Sequence, residues 1–222
     1  MTTVFMHDFT CPVCGEVFED EVVASTNVTG LSTDLKPFTC GLPAYPFFVH
    51  TCPNCFFSGF GEDFEREIDV ASADVIRVEM ERWHRDLYPM EPEPQHRYML
   101  AAICAEILGA APLHVADCYL RAVWCAVDRD MHDFARELRV EAVRFYVLAF
   151  DDRRTPARER ARVAYVVGEL SRRLGREEDA ARWFGRVASA VVAPAEQEWL
   201  VRAARQQNEN PQDRFDGGLF RP

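Results

Sequence analysis

The sequence predicts an α+β protein, with a small four-cysteine β module at the amino end followed by an all-helical array. Three observations lead there. Two C-P-x-C pairs, Cys11/Cys14 and Cys52/Cys55, lie within strand- and turn-like sequence. The run "PMEPEP", with Pro89, Pro92 and Pro94, cannot continue a helix and separates the module from the remainder of the chain. Beyond it, apolar residues recur at helical spacing nearly to the carboxyl end. The boundaries that result are 1–68 for a zinc-ribbon-like module, 69–95 for a helix and proline-rich connection, 96–209 for helical repeats and 210–222 for an irregular tail.

In the module, "EVFEDEVVAS" and "YPFFVHTC" read as strands, punctuated by Gly30, Gly41, Gly59, Gly61, Pro37, Pro43 and Pro46. A helix is predicted over 72–88, with Ser72 as N-cap and Val75, Ile76, Met80, Trp83 and Leu87 at helical spacing. Six further helical runs succeed it, at 96–110, 113–128, 133–152, 157–175, 176–192 and 194–210. Gly109 and Gly175 stand where C′ glycines are expected. Thr155 and Pro156 stand where an N-cap and a first helical residue are expected. Phe215, Leu219 and Phe220 could dock the tail on the body.

The small and large residues of 164–190 obey a rule. Gly168, Gly175, Ala180, Phe184 and Val187 stand at the spacing of a tetratricopeptide unit, where Gly168 and Ala180 let two helices approach and Phe184 fills the next interface. Ala102, Ala105, Gly109, Val115, Tyr119 and Ala122 repeat it with one extra residue in the turn, and Ala142, Tyr146 and Ala149 echo its second helix. An ordinary bundle with small residues at its crossings is the rival reading.

The cysteines carry the chemistry. A tetrahedral Zn²⁺ site needs four deprotonatable soft ligands, and two C-x-x-C turns brought face to face supply them. Proline at the same place in both pairs strengthens the match. A redox dithiol normally starts a helix, whereas turn- or strand-like sequence comes after each pair here. Disulfides suit an oxidising compartment; the amino end has neither a basic region nor a long apolar run, so a cytoplasmic location is expected. Phe9, Phe18, Phe56, Phe57 and Phe60 would shield the ion. So small a module has little apolar volume of its own, and one structural Zn²⁺ would contribute directly to its folding. Gly15 comes after the first pair but Phe56 after the second, which predicts a strained or different second turn. Cys40 is expected to be a loop or core thiol, with a replacement ligand as the alternative; His7 and His50 are further substitutes. Cys104, Cys118 and Cys125 fit helical apolar patterns and are expected in the core.

Charge excludes some partners. The net charge of -11 disfavours nucleic acid and anionic membrane surfaces. No apolar run reaches the roughly 18 residues that span a bilayer. Residues 1–70 carry eleven acids against Lys36 and Arg66, and residues 153–176 carry eight arginines against Glu159 and Glu169. Two solvated faces are the plain reading; attraction between them, or to separate partners, is the sharper one. Glu62, Asp63, Glu65, Glu67 and Asp69 read as a solvated acidic face. His84, His96, His114 and His132 match no metal or catalytic spacing, and no P-loop, G-x-S-x-G or G-x-G-x-x-G stands in the chain.

The stretches "CPVCGEVFEDEVV", "YPFFVHTCPNCFFSGFGEDF", "CYLRAVWCAVD" and "YVVGELSRRLGREEDAARWFGRV" together resemble an uncharacterised bacterial family, domain-of-unknown-function family number 2225, over roughly residues 8–200. The resemblance implies a cytoplasmic zinc-ribbon-like region joined to a tetratricopeptide-like one. It also implies metal ligation by Cys11, Cys14, Cys52 and Cys55, and brings no established activity. The function expected is protein–protein interaction rather than catalysis: a zinc-stabilised scaffold binding a protein or peptide, with Arg158, Arg162, Arg172, Arg173 and Arg176 as the rim for an acidic partner. A nucleic-acid-binding ribbon and a zinc-dependent enzyme are the alternatives.

Overall fold

A computed structural model describes residues 1–87 and 91–215. Six short strands and seven α-helices occur in order among them: β1 Thr3–Thr10, β2 Val17–Ser25, β3 Val28–Leu31, β4 Pro37–Thr39, β5 His50–Thr51 and β6 Ser58–Gly59, then α1 Val70–Leu87, α2 Pro94–Ile107, α3 Pro112–Asp128, α4 His132–Asp151, α5 Arg160–Arg173, α6 Glu177–Ala190 and α7 Pro194–Glu209. The architecture is α+β, a four-cysteine β region followed by a mostly helical part.

The strands pair in sequence as three antiparallel hairpins, β1–β2, β3–β4 and β5–β6. In the first, Phe5 faces Val22, His7 faces Asp20 and Phe9 faces Phe18, so alternation sets Phe5, His7 and Phe9 on one face. "YPFFVHTC" differs from its prediction. Tyr45–Phe47 form a 3₁₀ turn and only His50–Thr51 is strand, because Pro46 sits at the start of the turn and Tyr45 is buried there. The Tyr45 carbonyl accepts a 2.6 Å hydrogen bond from Tyr98 of α2, and its hydroxyl donates to Asp128 of α3.

Each helix from α2 onward packs on the next, and α5 also meets α7. Pro94, Pro112 and Pro194 open α2, α3 and α7 at the first turn, where the missing N–H costs nothing. Gly109 and Gly175 take positive φ and close α2 and α5 with paired hydrogen bonds: Gly109 N to Glu106 O with Ala110 N to Ala105 O, and Gly175 N to Arg172 O with Arg176 N to Ser171 O. Asp130, at φ 58°, makes the same closure after α3. Gly168 lies so close to Phe184 of α6 that an added Cβ would sit 2.6 Å from its ring.

Two predicted caps are corrected. The α1 cap is Asp69, whose carboxylate accepts from the Ser72 N–H at 3.0 Å and its hydroxyl at 2.6 Å; Ser72 lies inside the helix. Before α5, Pro156 is extended (ψ 138°) and a 3₁₀ turn over Ala157–Glu159 intervenes, so Thr155 does not cap. Its hydroxyl is buried without a partner among the described residues. Tyr88, Pro89, Leu219 and Phe220, and the side chain of Leu87, lie outside the described residues.

The β region does not stand apart. β6 packs on α2, and one continuous apolar core runs from Phe9 and Val13 through Tyr98 and Leu100 to Val187 and Leu200. The β3–β4 hairpin reaches further. Its tip, Ser32–Asp34, is buried against α5 and the segment after α7. The Tyr165 hydroxyl donates to the Thr33 carbonyl at 2.7 Å, and the Thr33 hydroxyl donates to Glu169 at 2.7 Å. Ser32 bridges Arg214, while the Thr33 N–H donates to the Asp213 carbonyl at 3.3 Å.

Candidate metal centre

Cys11 and Cys14 occupy the turn between β1 and β2; Cys52 and Cys55 occupy the turn between β5 and β6. The two turns share one backbone plan. In the first, Gly15 N donates to Cys11 O (2.9 Å) and Cys11 N to Glu16 O (2.8 Å). In the second, Phe56 N donates to Cys52 O (2.9 Å) and Cys52 N to Phe57 O (2.9 Å). Such turns need positive φ at the residue after the second cysteine. Gly15 supplies it at 78°, and Phe56 adopts it too, at 61°. Of the two expected outcomes, a strained or a different second turn, the structure has the strained one: the backbone plan is the same. Phe56 bears the left-handed conformation, and burial of its ring against His84 at 4.5 Å offsets the cost.

The four sulfurs face one another within 4.8 Å. Cys11 and Cys55 Sγ are 3.5 Å apart, as are Cys14 and Cys52 Sγ. A disulfide would need about 2 Å, and all eight cysteines are free. Four thiolates around one ion, with bonds of about 2.3 Å, stand about 3.8 Å apart at the edges of the tetrahedron. Donor type, number and spacing thus fit a tetrahedral cation. Cys11 and Cys52 are buried, and Cys14 and Cys55 are partly so. Crowding alone cannot satisfy the cluster. Hydrogen bonds from Cys52 and then Cys55 hold the Cys11 thiol down at about 4, and sharing with Cys11 pushes Cys55 and Cys52 up. One thiolate is stabilised by its neighbours' protons; a cation among the four sulfurs would let all of them ionise.

The surroundings brace the cluster. Phe9, Phe56 and Phe57 are buried and Phe18 and Phe60 partly buried, as shielding requires. The sequence pattern does not single out Phe64, which lies 5.2–5.6 Å from Phe9, Phe18 and Phe57. Arg77 of α1 donates to the Val13 carbonyl at 2.5 Å, tying the helix to the first turn. Buried His50 stacks on Phe9 at 4.2 Å, and its Nδ1 lies 3.1 Å from Asp20, which Arg97 of α2 also engages at 3.0 Å. Burial opposes the Asp20 anion, but the His50 hydrogen bond and the Arg97 charge outweigh it and lower its pKa.

The remaining candidates fall outside the cluster. Cys40 is exposed on the loop after β4, and its backbone bonds to Asn27 and Thr2. His7 is exposed in the Phe5–His7–Phe9 ladder. Cys104, Cys118 and Cys125 are core thiols, with burial pushing Cys104 and Cys125 up to about 12. In the acidic stretch, Asp63 receives the Phe60 N–H at 2.8 Å and Asp69 caps α1.

The arginines divide. Arg162 engages Asp117 (3.2 Å) and Glu159 (2.7 Å). Arg172 and Arg173 clasp Glu169, a fully buried carboxylate, at 2.9 and 2.7 Å. Arg173 also donates to Thr33 at 3.0 Å and lies 4.0 Å from Asp34. Arg158 and Arg176 are exposed. The attraction between an acidic amino end and a basic helix is thus realised at one point, where the β3–β4 tip meets α5. Neither Thr33 nor Asp34 carries a local sequence signal for it.

A family model described as "Uncharacterized protein conserved in bacteria (DUF2225)" matches residues 4–210. No curated protein and no solved structure matches the chain.

Proposed function

From the premise that the chain belongs to this uncharacterised bacterial family, we propose that it is a zinc-stabilised interaction protein. In this reading Cys11, Cys14, Cys52 and Cys55 hold one Zn²⁺. The ion supplies the positive charge that lets four thiolates coexist, and it locks two hairpins together. Four sulfurs complete a tetrahedron and leave no position for a reacting water, so the ion's role is structural rather than catalytic, and the reading is of an interaction protein rather than an enzyme. The helices act as a tetratricopeptide-like array, with the Gly168–Phe184 crossing as the best-formed unit, in a cytoplasmic protein whose thiols stay reduced.

The observation that carries this reading is the pair of matched turns converging on one four-sulfur cluster. The partner is a protein, but the arginine group is a poor rim for it. Arg162, Arg172 and Arg173 are spent on Asp117 and Glu169, and the β3–β4 tip covers that part of α5. The test is elemental analysis of pure, reduced protein with cobalt replacement. One ion per chain, a four-thiolate cobalt spectrum and a melting point lowered by chelation are expected. No bound ion, or a melting curve indifferent to chelator, overturns the reading.

A further inference from the structure

The interaction role leaves open where a partner sits, and a groove that runs from α1 and α2 past Tyr119 of α3 to α4 answers it. Along α1, Ala73, Ile76 and Met80 are buried, yet Val75 and Val78 remain 54% and 71% exposed. Between α1 and the end of α2 lies a cleft of about 640 Å³ floored by Val75, Val78, Ile103 and Ile107. A second, of about 460 Å³, continues it past Trp83, Met99 and Phe134 to α4. Ile103 lines both, so the two form one apolar track. From Asp74 to Trp83 the track runs along α1 for about 14 Å at 1.5 Å per residue, enough for two to three turns of a partner helix.

The rim has one sign. Its charged lining residues are Asp74, Glu79, Glu106, Glu137 and Glu141, with no base among them. Arg77 neutralises Asp74, and Arg144 links Glu106 (4.0 Å) with Glu141 (2.9 Å). Glu79 and Glu137 have no ion-pair partner among the described residues. An apolar floor between unpaired carboxylates fits an amphipathic helix whose apolar stripe is flanked by Lys or Arg. A second copy of this chain would set acid against acid across the same track, in a protein of net charge -11.

Resting on the interaction reading, we propose that the α1–α2–α4 groove docks a basic amphipathic helix of a partner protein. The metal-loaded full chain is titrated with two labelled synthetic helices, alike in their leucine stripe but flanked by lysine in one and glutamate in the other. Anisotropy of the labelled helices reports binding. The lysine helix is expected to bind at least tenfold more tightly than the glutamate helix. Val78→Asp, at an exposed position, should weaken it at least tenfold with metal content and circular dichroism unchanged. Glu79→Lys with Glu137→Lys should do the same, while Glu177→Lys with Glu178→Lys, an equal charge change on exposed α6 residues, should alter binding less than twofold. Equal weakening by the α6 pair, equal binding of both helices, indifference to Val78→Asp, or a dimer in sedimentation that Val78→Asp dissolves overturns the proposal. Those failures leave the metal content and the chelation-sensitive melt untouched, so the groove can fall while the zinc-stabilised fold stands.

Discussion

The twin cysteine turns make a prediction whose sign runs against ordinary expectation. At most positions alanine is more stable than glycine by about 0.5–1 kcal/mol, because glycine loses more backbone freedom on folding. Position 56 should invert this. Phe56 has φ 61°, a left-handed conformation that costs a residue with a Cβ about 1–2 kcal/mol. Phe56→Ala removes a buried ring and should cost about 3–5 kcal/mol. Phe56→Gly removes one atom more, yet it relieves the backbone and should be the more stable of the two by about 1 kcal/mol. Gly15 provides the converse. A Cβ there would meet nothing within 4 Å, so Gly15→Ala isolates the conformational term, about 1 kcal/mol of destabilisation without a clash. Urea unfolding of metal-saturated protein, with the slope checked for constancy, reads all three differences. A Phe56→Gly variant less stable than Phe56→Ala, or a neutral Gly15→Ala, would refute the claim that the turns share one backbone plan.

Three more outcomes rest on the packing. Gly168→Ala sets a methyl 2.6 Å from the Phe184 ring and should cost about 1–3 kcal/mol in thermal or urea unfolding, with Phe184→Leu recovering part of it in the double variant. Glu169→Leu leaves Arg172 and Arg173 facing an uncharged site beside Thr33; a loss of about 3–5 kcal/mol is expected, and a neutral effect would deny the clasp. The Asp20 carboxyl is held below its usual value, so its contribution is complete above the unfolded pKa near 3.9 and fades as pH falls through the lower folded value. Asp20→Asn should therefore flatten the acid limb of a stability-against-pH curve, and identical limbs would count against the His50–Asp20–Arg97 chain.

The legible parts of this protein are those with local causes. Each cysteine pair announces its turn through spacing and proline, and Gly109 and Gly175 announce their helix ends through the need for positive φ. The Gly168–Phe184 crossing is readable because a small residue opposite a ring is a pairwise rule along one hairpin. The hidden parts depend on contacts that residue type and spacing do not announce. Pro156 looks like a helix start, but its extended ψ sets it between a turn over 152–155, closed by the Thr155 N–H donating to the Asp152 carbonyl, and a 3₁₀ turn that its own carbonyl opens by accepting from the Glu159 N–H. Phe64 is concealed inside an acidic stretch, although its ring is buried against Phe9 and Phe57. Val75 reads as part of a buried face, whereas α1 turns Ile76 and Met80 inward and leaves Val75 and Val78 outside.

The arginine-rich segment shows how composition misleads about partners. A dense run of one sign on a helix invites an external anion, yet a buried carboxylate from the same helix already meets it. Glu169 has no exposed surface, and without Arg172 and Arg173 its charge would be very costly to bury. The tip of the β3–β4 hairpin then completes the site, with Thr33 donating to Glu169 and accepting from Arg173. This has two consequences. The hairpin between the cysteine pairs is anchored at its far end on α5, which explains why the interval from Gly15 to Thr51 is so much longer than two turns need. And Arg162, Arg172 and Arg173 are satisfied from within, so the basic run offers a smaller free rim than composition suggests, whereas the proposed groove is bordered by Glu79 and Glu137, which have no ion-pair partner among the described residues.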